Sequence, residues 1–402
     1  MISSRLPTAG FTRPSMADAT GSWPPDMTVR ALPHTAIRRI TAAVMQREIQ
    51  RLRGQPAERP DDRPVDAPLD SLERMGVAAA LGEMFELSDI VFDINAADSL
   101  DDWAEGLDRT PVERLTVHTS GSTGAPQRHS HAVAELWAEA ETLAQHFTTA
   151  GRIIALVPAD HLYGLVWTAL LPVALDVPVI DGQITALPEL RPDDLIVGVP
   201  EHWAALSRFR RDWPNGVIGI NSGGPLDSNV GQTLLASGLS RLVDVYGTSE
   251  TSAVGLRDVP QAGYALLPRW QLAQHDDGLS LRDRDGQLVA LPDRIRAIDT
   301  RRIALDGRHD HAVQVGGINV YPTHIAGLLA AHDGVSEAAV RLGDDGRLKA
   351  FVVTIDGHAP TDLESRLRRF AIECLTPAER PVQFRFGSAL PSNDMGKPAD
   401  WD

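Results

Sequence analysis

The stretch Thr119-Ser-Gly-Ser-Thr-Gly-Ala-Pro-Gln-Arg128 holds two glycines, a proline and four Ser/Thr hydroxyls, directly after an apolar run that includes Leu115 and Val117. Gly121 and Gly124 permit positive φ and close approach of the backbone. Successive N–H groups in such a turn form a concavity that binds anions. Ser120, Ser122 and Thr123 add hydroxyl donors and Arg128 adds a charge, so a polyphosphate is the natural guest. An exposed, flexible Gly/Ser turn is the other reading of the same residues. The stretch is not a Walker A loop, because no Gly-Lys-Ser/Thr closes it, and no G-x-G-x-x-G occurs. His129 and His131 follow, as polar residues at the start of an expected helix, and no Cys/His/Asp cluster has zinc spacing.

Further segments follow in order: Tyr246-Gly-Thr-Ser-Glu-Thr-Ser252, Gly307-Arg308-His309-Asp310, Gly316-Gly-Ile-Asn-Val-Tyr-Pro322 and Gly396-Lys397. With the Gly/Ser stretch, this ordered set resembles the adenylate-forming superfamily of acyl-CoA synthetases, aryl-acid adenylases and luciferases, over roughly residues 113 to 398. The resemblance implies that a carboxylate attacks the α-phosphate of ATP, giving an acyl-adenylate and pyrophosphate, and that a thiol or amine then takes the acyl group. Positioning and charge stabilisation carry most of such a transfer.

By matched position, the resemblance makes Thr119, Ser120, Gly121, Ser122, Thr123 and Gly124 the phosphate donors. Glu250 becomes a Mg²⁺ ligand, Thr248 lies near the phosphates, and Tyr246 with Gly247 borders the adenine. Ser222-Gly223-Gly224-Pro-Leu226 matches a turn whose glycines admit the adenine and the acyl group. Asp299 would grip the ribose and Arg308 the ribose or phosphate. Asp310 is the hinge. Lys397 would bridge the substrate carboxylate and ATP. Gly316 and Gly317 would shape a thiol tunnel once the C-terminal domain has rotated. His161, Tyr163, Gly164 and Trp167 match a segment lining the acyl pocket. The residues alone leave simpler roles open: a surface turn at Glu250, a strand-to-helix turn at Ser222, a turn-capping Asp299, and core packing for His161 and Tyr163. The chain departs from the family at Pro126-Gln127-Arg128, where Pro-Lys-Gly is usual. Gln127 removes a charge that Arg128 would restore one position later. Ala297-Ile298-Asp299 replaces Thr-Gly-Asp, and His324 stands where a glutamate is usual.

A chain of 402 residues exceeds one ordinary core. With 43% hydrophobic and 23% charged residues it has a soluble globular composition. The single cysteine, Cys374, excludes an internal disulfide framework and points to a reducing compartment. A net charge of −16 argues against nucleic acid as a partner and makes nucleotide binding a local achievement of donors and Mg²⁺. No apolar run is long enough to span a bilayer, and the N-terminus lacks a signal pattern. The expectation is a cytoplasmic protein without a membrane partner.

The elements that must position these residues read as an α/β fold. A flexible N-terminus covers 1–32, a shortened AMP-binding domain 33–310 with largely parallel sheets, and a small mobile α+β domain 311–402. Ala36 to Arg53 and Leu69 to Phe85 have helical spacing, the second with Asp66 as a possible cap. Four prolines in 54–68 suggest a linker. Leu115–His118, Ile153–Val157, Val177–Ile180, Leu195–Val199, Val217–Asn221 and Leu242–Val245 read as strands, with a helix from His131 to Phe147 between the first two. Asp285-Gly286 and Asp345-Gly346 signal hairpins. Asp362 to Leu375 reads as a helix carrying Arg366, Arg368 and Arg369, which either meet an acidic carrier or form a solvated face.

The length and the Gln after the loop proline resemble compact stand-alone adenylases of aryl polyene and xanthomonadin-type clusters. That likeness implies activation of an aromatic acid such as 4-hydroxybenzoate and transfer to the phosphopantetheine thiol of an acyl carrier protein. An acid–CoA ligase using free CoA and a catalytically degenerate nucleotide-binding protein are the alternatives.

Overall fold

The computed structural model describes residues 31–54, 69–87, 93–94, 97, 99–119, 127–210, 212–275, 278–308, 312–355, 362–391 and 401. The chain enters through the helix His34–Arg53, which buries Ile37, Ile40, Val44 and Ile49 and stops at Gly54 in the left-handed region (φ 65°). Ser71–Met84 begins at a capping box between Asp70 and Glu73. The cap is therefore Asp70, while the expected Asp66 lies outside the described residues. A third helix, Leu100–Asp108, has its own box between Ser99 and Asp102 and sends Trp103 and Leu107 into the same core.

Among the described residues, nine strands form the central sheet. Five run parallel, in spatial order Val179–Asp181, Arg152–Ala155, Asp194–Gly198, Ile218–Asn221 and Arg241–Thr248. Three of them are buried at every position, as strands covered on both faces must be. After Thr248 the chain reverses, and Ser252–Asp258, Tyr264–Leu266, Arg302–Arg308 and Asp293–Ala297 extend the sheet antiparallel. The fold is α/β, and this antiparallel half is an addition to the expected parallel series.

Leu115–His118 was expected in that series. Instead Arg114–Thr119 forms a separate two-stranded hairpin with Gln127–Ala132. The helix read from His131 starts at Val133 and runs to His146. The second strand escapes the pattern because Gln127-Arg-His-Ser-His131 is polar throughout. The apolar run from Gly164 is a core helix: Leu162–Gly164 passes through a π-helical segment, Leu165–Leu170, into Leu171–Leu175.

Residues from Val313 build a second core of their own. A small hairpin, Val313–Val315 with Ile318–Val320, turns at Gly316 and Gly317. Val335–Leu342 and Leu348–Thr354 pair around Asp345-Gly346 as expected, and Gln383–Gly387 adds a parallel third strand. The helices Pro322–Ala330 and Leu363–Cys374 contribute Ile325, Leu329, Leu363 and Leu367 to this core. On the latter helix, Arg366 pairs with Asp362 and Arg368 with Glu364. Trp401 packs against Phe351 with ring centroids 5.7 Å apart, under the Arg341 guanidinium.

Within the parallel sheet, Arg152 and Asp194 form a bidentate pair at 2.6 and 2.8 Å, both almost fully buried. Replacing Arg152 by Met strands the carboxylate. The expected cost is about 3–5 kcal/mol, read by chemical denaturation; a loss below about 1 kcal/mol would contradict this account of the pair.

Candidate active site

The carboxyl ends of the parallel strands carry the segments singled out by sequence. His161 lies in the connection after Arg152–Ala155, Val199 follows Asp194–Gly198, Ser222 follows Ile218–Asn221, and Tyr246 to Thr248 end the fifth parallel strand. Loops beyond this edge of an open α/β sheet form ligand sites.

Residues 120–126, and with them Ser120, Gly121, Ser122, Thr123 and Gly124, lie outside the described residues. Their flanks are described: Thr119 pairs with Gln127 at the loop end of the hairpin. Alternation along Gln127–Ala132 divides its side chains between two faces. His131 Nε2 donates to the Ser249 carbonyl at 2.7 Å, and His129 Nε2 lies 3.9 Å from Glu250 Oε1. On the other face, Arg128 Nε lies 3.6 Å from Glu83 Oε1, and Ser130 bonds Glu86. The hairpin bearing the glycine-rich segment thus meets the Tyr246–Ser252 turn. Arg128 stands on the face away from Glu250, and His129 stands toward it. Burial, chiefly, holds the His131 pKa below the ordinary histidine value, so the ring is neutral at pH 7.

The Tyr246–Ser252 turn is clamped from within. Thr251 Oγ1 accepts from the Thr248 N–H at 3.2 Å, and Thr248 Oγ1 accepts from the Thr251 N–H at 3.3 Å. Gly247 leaves no room for a side chain, since a Cβ there would sit 2.4 Å from the Ser252 carbonyl oxygen. Tyr246 donates its hydroxyl to Asp293 at 3.0 Å and packs on Tyr264. Ser252 holds φ +55°, which costs a residue with a Cβ about 1–2 kcal/mol. Beneath it sits Glu139, 1% exposed, whose Oε1 accepts from Ser252 Oγ at 2.9 Å and from the Ala253 N–H at 3.3 Å. Sequence reasoning missed Glu139. Its signal is an acid three positions from Leu136 and four from Leu143, on the buried side of its helix.

Ser222 Oγ donates to the Val245 carbonyl at 3.0 Å. Gly223, at φ +83°, faces the small-domain hairpin: a Cβ on it would lie 3.1 Å from Gly317 Cα. A Cβ on Gly224 would touch Gln314 at 3.4 Å. The Gly316 N–H donates to Glu201 Oε1 at 3.0 Å. Ser222, Gly223 and Gly224 are thereby brought together with Gly316 and Gly317. Nearby, His202 Nδ1 accepts from the Val199 N–H at 3.4 Å, and burial drives its pKa down to about 4.

The segment matched to the acyl pocket makes these contacts with the core. The Tyr163 hydroxyl donates to the Gly198 and Ile220 carbonyls at 3.0 and 3.1 Å, and burial raises its pKa well above the ordinary value. Trp167 is 1% exposed and packs edge-on against Phe147. Gly164 lies against the Pro158 carbonyl, where a Cβ would stand 1.7 Å from the oxygen. The His161 side chain is half-exposed, 3.8 Å from Asp160. Asp299 accepts from the Arg301 N–H at 2.8 Å and from Arg302 at 2.7 Å. The Arg301 N–H foremost, then Arg302, holds its carboxyl below the usual range. Arg308 ends its strand with its side chain outside the described residues, and Asp310 and Lys397 are outside them altogether.

No protein-family model matches the chain. It is 36% identical over 391 residues to a protein of Rhodobacter capsulatus named 4-coumarate–CoA ligase, covering 91% of this chain and 100% of that one. The chain belongs to the adenylate-forming family of acid–thiol ligases. A protein of the same name from Halorhodospira halophila is 39% identical to the ligase over 344 residues, 82% of this chain and 87% of that one. The amide bond synthetase McbA from Marinactinospora thermotolerans shares the fold, with a TM-score of 0.60 over 90% of this chain and 92% of that one at 17% identity.

Mg²⁺ binds through one or two carboxylates together with substrate phosphates. Glu250, 44% exposed at the tip of its turn, offers one such carboxylate. Among the described residues no group of three or more His, Cys, Asp or Glu gathers; a single carboxylate such as Glu250 would fit an ion whose other ligands are phosphates. Among the described residues, too, no helix is long and apolar enough to cross a membrane.

The faces of the hairpin set an order of effects in the ligase. His129→Ala should lower acid-dependent ATP–pyrophosphate exchange about tenfold, and Arg128→Ala less than about threefold, because a side chain turned toward the site outweighs a rim charge; the reverse order would refute the assignment of faces.

Glu139 sets a pH dependence of stability. Burial pushes its carboxyl up from 4.5 to about 7, against the pull of Arg269 and its hydrogen bonds. The folded state then holds a proton that the unfolded chain has released, so stability falls as pH rises between those values, by on the order of 3 kcal/mol, and is flat on either side. Glu139→Gln should flatten that slope in urea titrations at about pH 5 and pH 8. An unchanged slope would locate the titration elsewhere.

Proposed function

We propose that the ligase adenylates a small aromatic carboxylic acid with MgATP and transfers the acyl group to the thiol of CoA. A carboxylate oxygen attacks the α-phosphorus, the bond to pyrophosphate breaks, and a thiol sulfur then displaces AMP from the acyl carbon. The observation that carries the reading is the contact of the Gln127–Ala132 strand with the Ser249–Glu250 turn, in a chain matched along most of its length by relatives bearing CoA-ligase names. Those names favour CoA over the acyl carrier protein that the compact length suggests, and a hydroxycinnamate-like acid beside 4-hydroxybenzoate. Nothing in the Arg366–Arg369 stretch calls for an acidic carrier, since Arg366 and Arg368 are paired along their own helix.

In this reading ATP is a substrate. Thr119 and residues 120–124 supply its phosphate donors, Glu250 holds Mg²⁺ with Thr248 beside the phosphates, and Tyr246 with Gly223, Gly224 and Gly247 borders the adenine. Ser222 and His161 are the polar groups nearest the acid. Arg308 and Asp299 attend the ribose, and Asp310 is the hinge of the small domain. Lys397 stabilises charge developing between the carboxylate and the α-phosphate. Gly316 and Gly317 border the thiol path in the second step.

Pyrophosphate release across benzoates, cinnamates and fatty acids identifies the acid, and thioester formation on free CoA against a phosphopantetheinylated carrier protein identifies the acceptor. Lys397→Ala should cut acid-dependent pyrophosphate exchange by about 10²–10³, while transfer from preformed acyl-adenylate to thiol persists. A wild-type protein without any acid-dependent exchange would mark a degenerate nucleotide-binding protein, the outcome that Gln127 raises.

A further inference from the structure

The turn that bears Glu250 is held from below by an acid with no part in the chemistry above. Glu139 Oε1 takes two donors, the Ser252 hydroxyl and the Ala253 N–H, while its Oε2 is buried without a partner. A carbonyl-like oxygen has two lone pairs, and both are used here. A leucine would fill the space without the cost of burying a carboxyl, so packing alone does not account for an acid at this position.

The contacts run onward from Ser252. Its left-handed backbone closes the turn opposite Thr248. Its carbonyl accepts from Thr251 Oγ1 at 2.9 Å and lies over Gly247, where no Cβ fits. Thr251 in turn binds the Thr248 N–H. A shift of Ser252 therefore moves Gly247, Thr248 and the Glu250 tip together.

We propose that Glu139 is a positioning residue of the nucleotide site, clamping Ser252 and Ala253 so that the turn presents Glu250 in one orientation. The inference rests on the reading of Glu250 as the residue that meets MgATP. The charged groups around Glu139 are Arg269, from the segment after Tyr264–Leu266, and Glu135, from its own helix, which pair with each other at 3.3 Å. His131, from the hairpin, feels both of them. With the carboxyl pushed up to about 7, the clamp is neutral in mild acid. In mild alkali it places a negative charge beneath the seat of an anionic ligand.

The test compares Glu139→Gln, Glu139→Ala, Ser252→Gly and Glu250→Gln in the full chain, by equilibrium MgATP binding across pH and by amide hydrogen exchange over 248–253. Glu139→Ala should weaken MgATP about tenfold and speed exchange in the turn, while Glu139→Gln should stay within about threefold at pH near 6. The wild type should lose affinity as pH rises through about 7, and Glu139→Gln should not. Adding Ser252→Gly to Glu139→Ala should restore part of the affinity, because glycine adopts the left-handed conformation without support. Wild-type affinity and exchange in Glu139→Ala would overturn the clamp. So would equal damage by Ala and Gln at every pH, since that is a packing role. If Glu250→Gln binds MgATP as the wild type does, the reading of the site fails, and the exchange data still judge the clamp; if Glu250→Gln weakens binding and Glu139→Ala does not, the clamp alone fails.

Discussion

The hydrogen bond from His131 Nε2 to the Ser249 carbonyl joins positions 118 residues apart, and the candidate site depends on it. Among the described residues, the hairpin that carries the glycine-rich segment is a two-stranded sheet paired with no other strand. Such a unit is marginal alone. Leu115 and Val117 anchor it in the core, but apolar packing is non-directional. His131 supplies the direction, since a neutral ring donating one N–H to a carbonyl fixes which stretch of chain lies beside the hairpin. Burial keeps the ring neutral, which suits a site for anions whose charge balance must come from elsewhere.

That balance is the second constraint. The chain carries −16 overall, so each carboxylate near an anionic substrate needs a reason to be there. Glu83 and Glu86 are turned to the outer face of the hairpin, against Arg128, His118 and Arg114. Glu135 is paired with Arg269. Glu139 is deep enough to keep its proton in mild acid. Glu250 stands half-exposed at the tip of the turn, where, in the function proposed above, a divalent cation would repay its charge.

Most of the frame was legible in the sequence, because parallel strands buried on both faces read as apolar runs and the helices between them keep their period. Strands 194–198, 218–221 and 241–248 fall where Leu195, Ile218 and Leu242 point, and Asp345-Gly346 turns the hairpin its sequence signals. The misses have physical causes. Gln127–Ala132 is a strand without an apolar face: it lies against the polar backbone of a turn and against Glu83 and Glu86, so its polarity is its function and hides its period. The antiparallel half of the sheet follows from one reversal at residues 248–252, where a serine rather than a glycine takes the left-handed conformation, and glycine is the residue a reader of turns looks for. Tyr163 shows what motif matching leaves out. A matched segment carries its residue types, but two backbone carbonyls decide that this hydroxyl serves strands 194–198 and 218–221. Glu139 and Glu201 belong to no motif and gain meaning only from what the fold sets against them.

The contact between the two cores is built differently from either core. Where Gly316 and Gly317 meet Gly223, Gly224 and Val199, glycine backbone approaches glycine backbone, and one polar link is the Gly316 N–H given to the exposed carboxylate of Glu201. A hydrogen bond of that kind is worth about 1 kcal/mol net, and glycine Cα atoms bury little apolar area. Side chains would hold the pieces more firmly, yet a Cβ on Gly223 would sit 3.1 Å from Gly317 Cα and force the pieces apart. Closeness of approach is what the glycines supply at this place. In the function proposed above, such a close contact of glycine with glycine would suit a small domain that brings its glycine turn to the site for one step and withdraws it for another.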